Sequence, residues 1–266
     1  MKRRLLKTKF DDIVLNYLEG DKYIGELIAS TGQYEPFESE LLIKNIKDGD
    51  IVIDVGANIG YYTLLFAKKV GENGKVYAFE PDPVSFAILE KNIKDNKLRN
   101  VEVFNIALSD KRENLPLFIS AENLGDHRLY DDHKAKRKKT TVTANTLDLF
   151  FTDKELEKNK VSLIKIDTQG YEPYVIKGAQ ELIKNQKPAL FFEYWVYGYK
   201  QSGGNYKEMI TFLEEQYGTL TFIDEENETT FIVNKDFINN YCLQLNGYLH
   251  CNLICKKTTY FTKLFS

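Results

Sequence analysis

Two hydrophobic rhythms alternate along the chain. Short, nearly continuous apolar runs are each followed by a stretch in which apolar residues recur every three or four positions. Residues 51–55, Ile-Val-Ile-Asp-Val, lead into NIGYYTLLFAKKV, where Ile59, Tyr62, Leu65, Phe66 and Val70 fall on one helical stripe. KVYAFE (75–80) leads into PDPVSFAILEKNIKDN, with Asp82 placed to cap the helix and Pro83 in its first turn. VEVFNIAL (101–108) predicts a third strand. VSLIKID (161–167) predicts a fourth, before a helix that aligns Val175, Ile176, Ala179, Leu182 and Ile183, and PALFFEYW (188–195) a fifth. A helix over 206–217 ends at Gly218, a suitable left-handed cap, and LTFID and LHCNLICKK supply two late strands. Such alternation predicts an α/β fold, a doubly wound and mostly parallel sheet covered on both faces.

Two regions break the rhythm. Residues 1–48 read as a helical N-terminal extension, with EPFESELLIKNI its clearest piece. Residues 109–160 form a long insertion, whose part 111–147 carries hairpin-like pieces, LPLFIS and TTVTANT, around a polar loop. Insertions of that length are more often functional than idle. With no repeat and no linker, residues 1–266 read as one domain.

Composition narrows the classes. The 266 residues are 43% hydrophobic, enough for one large core, and the net charge of −3 does not suit a nucleic-acid binder. No apolar run approaches the ~20 residues of a membrane span, and no signal-type apolar region follows the basic MKRRLLKTKF. Cys242, Cys251 and Cys255 are an odd, late set, which argues against a disulfide framework and for a cytoplasmic chain. His250, Cys251 and Cys255 fit a buried strand better than a zinc site, and no metal is expected.

Candidate chemistry centres on DVGANIG (54–60), where the first strand turns into its helix. A G-x-G-x-x-G turn would cradle a pyrophosphate. Here Gly56 and Gly60 are spaced differently, around Ala57 and Asn58, and Asp54 would repel a phosphate. Asp54 and Asn58 suit an amino-acid end instead, its ammonium on the acid and its carboxylate on free amides at the helix start. Gly56 would let that ligand approach the backbone, so a larger residue there should block binding and spare the fold. Glu80, before Pro81, ends the second strand where an acid commonly takes ribose hydroxyls. Ser109 and Asp110, after the third, are placed for an adenine edge. An amino acid, a ribose and an adenine together make S-adenosylmethionine.

YEPFE (34–38), GDIVIDVGANIGYYT (49–63), VYAFEPDP (76–83), NIALSD (105–110), NLGDHRLY (123–130) and above all LIKIDTQGYEPYVIKGA (163–179) resemble the FkbM methyltransferases. The resemblance covers roughly residues 31–195. It implies a class I methyltransferase sheet of seven strands with the last antiparallel. It also implies methylation of sugar or polyketide hydroxyls, with Glu35 beside the cofactor.

A hydroxyl that keeps its proton is a weak nucleophile, so a base within hydrogen-bond reach helps. The candidates are Asp167, ending the fourth strand, Glu193, near the end of the fifth, and His127 in the insertion. An imidazole with a pKa of ~6.5 suits neutral pH, and His127 is the residue expected to touch the acceptor. Asp167 could instead orient the turn, and Glu193 could pair within the core. HKAKRKKTT (133–141) concentrates five basic side chains that would suit an anionic partner, a phospholipid-linked glycan or a nucleic acid, or merely a solvated loop or hairpin. The tyrosines of EYWVYGYKQSGGNY suit a sugar-stacking wall or ordinary packing. The expected partner is therefore a hydroxyl-bearing acceptor, a sugar or glycan. Two rivals remain: a nucleic-acid N-methyltransferase, disfavoured because DTQGYE lacks the Pro-Pro-aromatic motif after the acid, and a cofactor-binding protein without turnover.

Overall fold

The computed structural model describes residues 3–121, 123–133, 136–156, 159–244 and 249–257. Its centre is an eight-stranded sheet. The strands, in spatial order, are β12 (Thr229–Val233), β11 (Leu220–Asp224), β13 (Cys251–Cys255), β10 (Ala189–Tyr194), β9 (Val161–Ile166), β3 (Ile51–Val55), β4 (Lys75–Phe79) and β5 (Val101–Phe104). The block from β10 to β5 is parallel throughout, and β13 runs antiparallel between β10 and β11. This is the class I arrangement with its antiparallel last strand, plus an eighth strand, β12, paired antiparallel to β11 at the edge. β12 was not foreseen because four of its five residues are exposed, so it carries no alternating pattern.

Hydrophobic clusters lie on both faces of the sheet. One includes Ile53, Phe79, Ile164, Phe192 and Leu253, the other Val52, Val76, Leu163, Phe191 and Ile254. Successive strand residues face opposite layers and both layers are apolar, which is why these runs are nearly continuously apolar. Helices α3 (Tyr61–Val70) and α4 (Pro83–Asp95) follow β3 and β4 as expected, and Asp82 accepts the Ser85 amide at 2.8 Å as the cap of α4.

Three expectations need correction. The N-terminal extension is not all helical: β1 (Leu5–Phe10) and β2 (Ile13–Leu18) form a hairpin before α1 (Gly25–Thr31) and α2 (Pro36–Lys44). Phe10, Ile13, Leu15 and Tyr17 bury the side of this hairpin that faces the core. The strand expected over 101–108 is broken. After β5 the Asn105 amide donates to the carbonyls of Glu80 and Pro81, and β6 (Ala107–Leu108) joins a separate three-stranded sheet. That sheet holds the insertion's hairpin, β7 (Glu113–Ile119) and β8 (Lys138–Asn145), as the sequence suggested. The tyrosines at 194 and 199 are core residues, not a stacking wall.

The three cysteines are free and buried, and no helix among the described residues is long and apolar enough to cross a membrane. Within 133–141, Lys134 and Ala135 lie outside the described residues, and Arg137 is spent internally on Asp126 at 2.6 Å.

Candidate active site

The carboxyl ends of β3, β9 and β10 open into a cavity of about 430 Å³. Asp54, Gly56, Ala57 and Asn58 line it from β3 and its turn, Lys165, Asp167 and Gln169 from β9, and Glu193 from β10. Tyr34, Glu35 and Glu38 close it from the N-terminal extension. A smaller, more apolar cavity adjoins it. Glu80, Pro81, Ile106, Leu108, Leu117, His127 and Leu129 line that second space, and Asp167, Gly56 and Asn58 border both. Three residues lining the larger cavity, Glu35, Asn58 and Gln169, hold positive φ without being glycine. Such backbone strain concentrates at functional sites.

Asp54 is fully buried. Its Oδ2 accepts the Thr63 hydroxyl at 2.6 Å, while Oδ1 has no partner and burial raises its pKa. A buried carboxylate oxygen left open beside a cavity suits a cationic group, as the sequence proposed. Glu80 lies at the end of β4. Its oxygens accept the amides of Asn58 and Asp82, each at 2.8 Å, and burial pushes its pKa up to about 8. Each oxygen keeps a second lone pair for a hydroxyl.

The amides of the DVGANIG turn are not free. Those of Gly56 and Ala57 go to the Phe79 carbonyl, that of Asn58 to Glu80, that of Ile59 to the Asn58 side chain, and that of Gly60 to Ala57. The turn closes on itself and offers no amide to a ligand's carboxylate. The glycines serve the same closure. Gly56 has φ +80°, and a Cβ there would overlap the Asp167 carbonyl. A Cβ at Gly60 would run into Leu89, and Gly60 lines neither cavity. The close approach at Gly56 is therefore strand to strand, so a larger residue there threatens the fold as well as binding.

Ser109 and Asp110 are not brought to the cleft. β6 has left the main sheet, so Ser109 lies against the Tyr171 hydroxyl at 3.5 Å and Asp110 pairs with Lys177 at 2.9 Å. Glu35 is brought in, accepting the Tyr62 hydroxyl at 2.8 Å.

The three catalytic candidates separate. Asp167 stands where the two cavities meet, with Lys165 donating to Oδ2 at 3.2 Å and Gln169 to Oδ1 at 2.8 Å. Glu193 faces the larger cavity only. Burial, then Asp167 and Glu172, raise its pKa well above the carboxylate range, and its Oε2 is buried without a partner. His127 lies in the smaller cavity beside Glu80. Its Nδ1 accepts the Ser120 amide at 3.1 Å, its Nε2 points to Asp82 at 3.8 Å, and burial lowers its pKa. With its lone pair engaged and its ring on Glu80's side, His127 is not in the larger cavity with Glu193.

Two residues of the K-x-D-x-x-G-x-E block escaped the sequence reading. Lys165 is buried, with its ammonium 4.5 Å from the centre of the Tyr62 ring. Burial works against that charge, but Asp167, Asp54, Glu38 and Glu35 outweigh it and hold the pKa above the ordinary lysine value. Glu172 accepts the amide and hydroxyl of Thr168 and the amide of Gly170, which pins the turn carrying Asp167 and Gln169. Burial pushes the Glu172 pKa up to about 7. Oxygens of Asp167, Glu172 and Glu193 lie within 4.8 Å of one another, the one metal-like cluster among the described residues.

An α/β sheet with a carboxylate on each of two adjacent strand ends, beside a polar cleft, defines a class of nucleoside-ligand proteins. The chain belongs to the methyltransferase FkbM domain family, whose model matches residues 54–219. The methyltransferase sdnD of Sordaria araneosa is 28% identical over 166 residues, covering 52% of this chain and 64% of that protein. The hexuronic acid methyltransferase AglP of Haloferax volcanii is 26% identical over 151 residues, 54% of this chain and 56% of that one. The chain thus spans less than two thirds of the length of either relative. Among solved structures, the methyltransferase FkbM from Methylobacillus flagellatus KT superposes with a TM-score of 0.46 at 14% identity, over 79% of this chain and 44% of that one.

Proposed function

We propose that the chain transfers a methyl group from S-adenosylmethionine to a hydroxyl of a sugar or glycan acceptor. The observation that carries the reading is the pair of buried acids at adjacent strand ends, Asp54 lining the larger cavity with one oxygen left unpartnered and Glu80 lining the smaller one. Asp54 takes the cofactor's ammonium and Glu80 its ribose hydroxyls. The apolar walls from Ile106, Leu108, Leu117 and Leu129 receive the adenine, a role the sequence had given to Ser109 and Asp110. The acceptor occupies the rest of the larger cavity. Family membership supports methyl transfer, and the hexuronic acid methyltransferase supports a sugar.

When bound, the cofactor supplies a methyl group on a sulfonium. Asp167 would take the proton of the acceptor hydroxyl as its oxygen received the methyl group and the sulfur left as a thioether. Asp167 suits this step because it alone of the three candidates borders both cavities as an acid. Lys165 and Gln169 fix its two oxygens, and Glu172 fixes the turn beneath, so the acceptor meets a preset base. Incubation with methyl-labelled cofactor and a panel of glycans and small polyols should give labelled product and S-adenosylhomocysteine in equal amounts. A labelled nucleic acid and no labelled glycan would favour the rival class.

His127 has a different place in this scheme. It packs the insertion against Glu80's side of the cleft and takes no proton from the acceptor. His127→Ala should leave kcat far above the ~10²-fold loss expected for a missing base, while cofactor affinity falls modestly. Steady-state rates with a saturating acceptor check this. A loss of kcat beyond ~10²-fold with unchanged cofactor affinity would return His127 to the chemistry.

A further inference from the structure

The larger cavity is strongly acidic. Glu35, Glu38, Asp54, Asp167 and Glu193 line it, against Lys165 and His250. Asp54 is accounted for by the cofactor's ammonium, and Asp167 is paired with Lys165 at 3.2 Å. Three acids remain. Glu35 accepts the Tyr62 hydroxyl and Glu38 the Asn252 amide, neither of which is a cation. Among the described residues, the carboxylate of Glu193 has His250 at 4.0 Å from Oε1, and its Oε2 is buried with no partner. Building so many carboxylates into one enclosure is costly unless a positive ligand joins them.

Resting on the methyl-transfer reading above, we propose that the acceptor is cationic, an amino sugar or comparable amino polyol whose ammonium is held by Glu193 and faced by Glu35. The ammonium completes the open Oε2 of Glu193, and the neighbouring hydroxyl meets Asp167. A uronic acid, the substrate class in the name of one relative, carries the opposite charge and would be repelled by the same three acids.

A divalent metal is the competing occupant, since Asp167, Glu172 and Glu193 approach one another. The hydrogen bonds favour the ammonium. Both Asp167 oxygens accept from Lys165 and Gln169, and both Glu172 oxygens accept from the turn, so Glu193 alone has an unengaged oxygen. A metal would have to share the oxygens of Asp167 and Glu172 with hydrogen bonds they already accept, one of them from the Lys165 ammonium, whose charge opposes a divalent cation there.

Calorimetry of the full chain saturated with S-adenosylhomocysteine separates the cases. The probes are glucosamine, glucose, glucuronate, Mg²⁺ and Mn²⁺, on wild type, Glu193→Gln and Glu35→Gln. Glucosamine should bind tighter than glucose, and glucuronate weakest. Glu193→Gln should weaken glucosamine about 10- to 100-fold, the scale of a lost charge-assisted hydrogen bond, with glucose and S-adenosylhomocysteine little changed. Glu35→Gln should weaken glucosamine less. Glucose or glucuronate binding as well as glucosamine, no glucosamine binding, or Glu193→Gln binding it unchanged would each overturn the proposal. So would metal binding that Glu193→Gln abolishes. Failure of S-adenosylhomocysteine to bind wild type would instead strike the methyl-transfer reading itself.

Discussion

Asp167→Asn should lower kcat by ~10²–10⁴-fold while the affinity for S-adenosylmethionine stays near that of wild type. The substitution keeps the size of the side chain and one acceptor oxygen. It removes the carboxylate proposed to take the hydroxyl's proton and leaves Lys165, held 3.2 Å from Oδ2, facing an amide. Asp54 and Glu80, the acids proposed to hold the cofactor, are untouched. Rates of S-adenosylhomocysteine formation at saturating acceptor, paired with calorimetric cofactor affinities, separate the two effects. Equal losses of turnover and cofactor binding would mean that Asp167 builds the cofactor pocket instead, and full turnover would pass the base role to Glu193.

Gly56→Ala should destabilise the chain heavily, although it adds a single methyl group. Gly56 sits at φ +80°, where a non-glycine residue costs about 1–3 kcal/mol. Its new Cβ would also overlap the carbonyl of Asp167 on the neighbouring strand, an overpacking penalty of about 1–3 kcal/mol. Relief requires β3 and β9 to part at the point where Asp167 donates its amide to Val55 at 3.0 Å. The variant should therefore lose stability and turnover together, seen as a lower urea midpoint and a displaced Asp167. A stable variant with normal turnover would show that the two strand ends can separate freely. Gly60→Ala carries the same kind of backbone strain, at φ +97°, but its Cβ meets the flexible end of Leu89 rather than a backbone carbonyl and should cost less.

The sheet was legible because the buried parallel strands are nearly continuous apolar runs, a signal contained in five to eight consecutive residues. Asp54, Glu80 and Asp167 were legible for a related reason. Each stands at or just beyond the end of such a run, and strand ends in this fold face the ligand. What sequence missed depends on residues far apart in the chain. Lys165 becomes the centre of an acidic ring only because Glu35 and Glu38 from the start of α2 and Asp54 from β3 converge on the end of β9, where Asp167 already stands. The closed amides of the turn depend on Glu80, 22 positions from Asn58. Ser109 and Asp110 were misplaced because the break at Asn105 sends the chain into another sheet. The N-terminal hairpin did carry a signal: the short apolar run Ile13–Leu18 follows Asp11-Asp12, and Asp11 takes the positive φ of a tight turn.

The account rests on two acids at adjacent strand ends gripping one ligand, and titration of S-adenosylmethionine into wild type and Glu80→Ala tests it most directly. The account predicts saturable one-to-one binding to wild type and affinity about 10- to 100-fold weaker in the variant, whose ribose hydroxyls lose a charged acceptor. No binding to the wild-type chain, or equal affinity in folded Glu80→Ala, would contradict it.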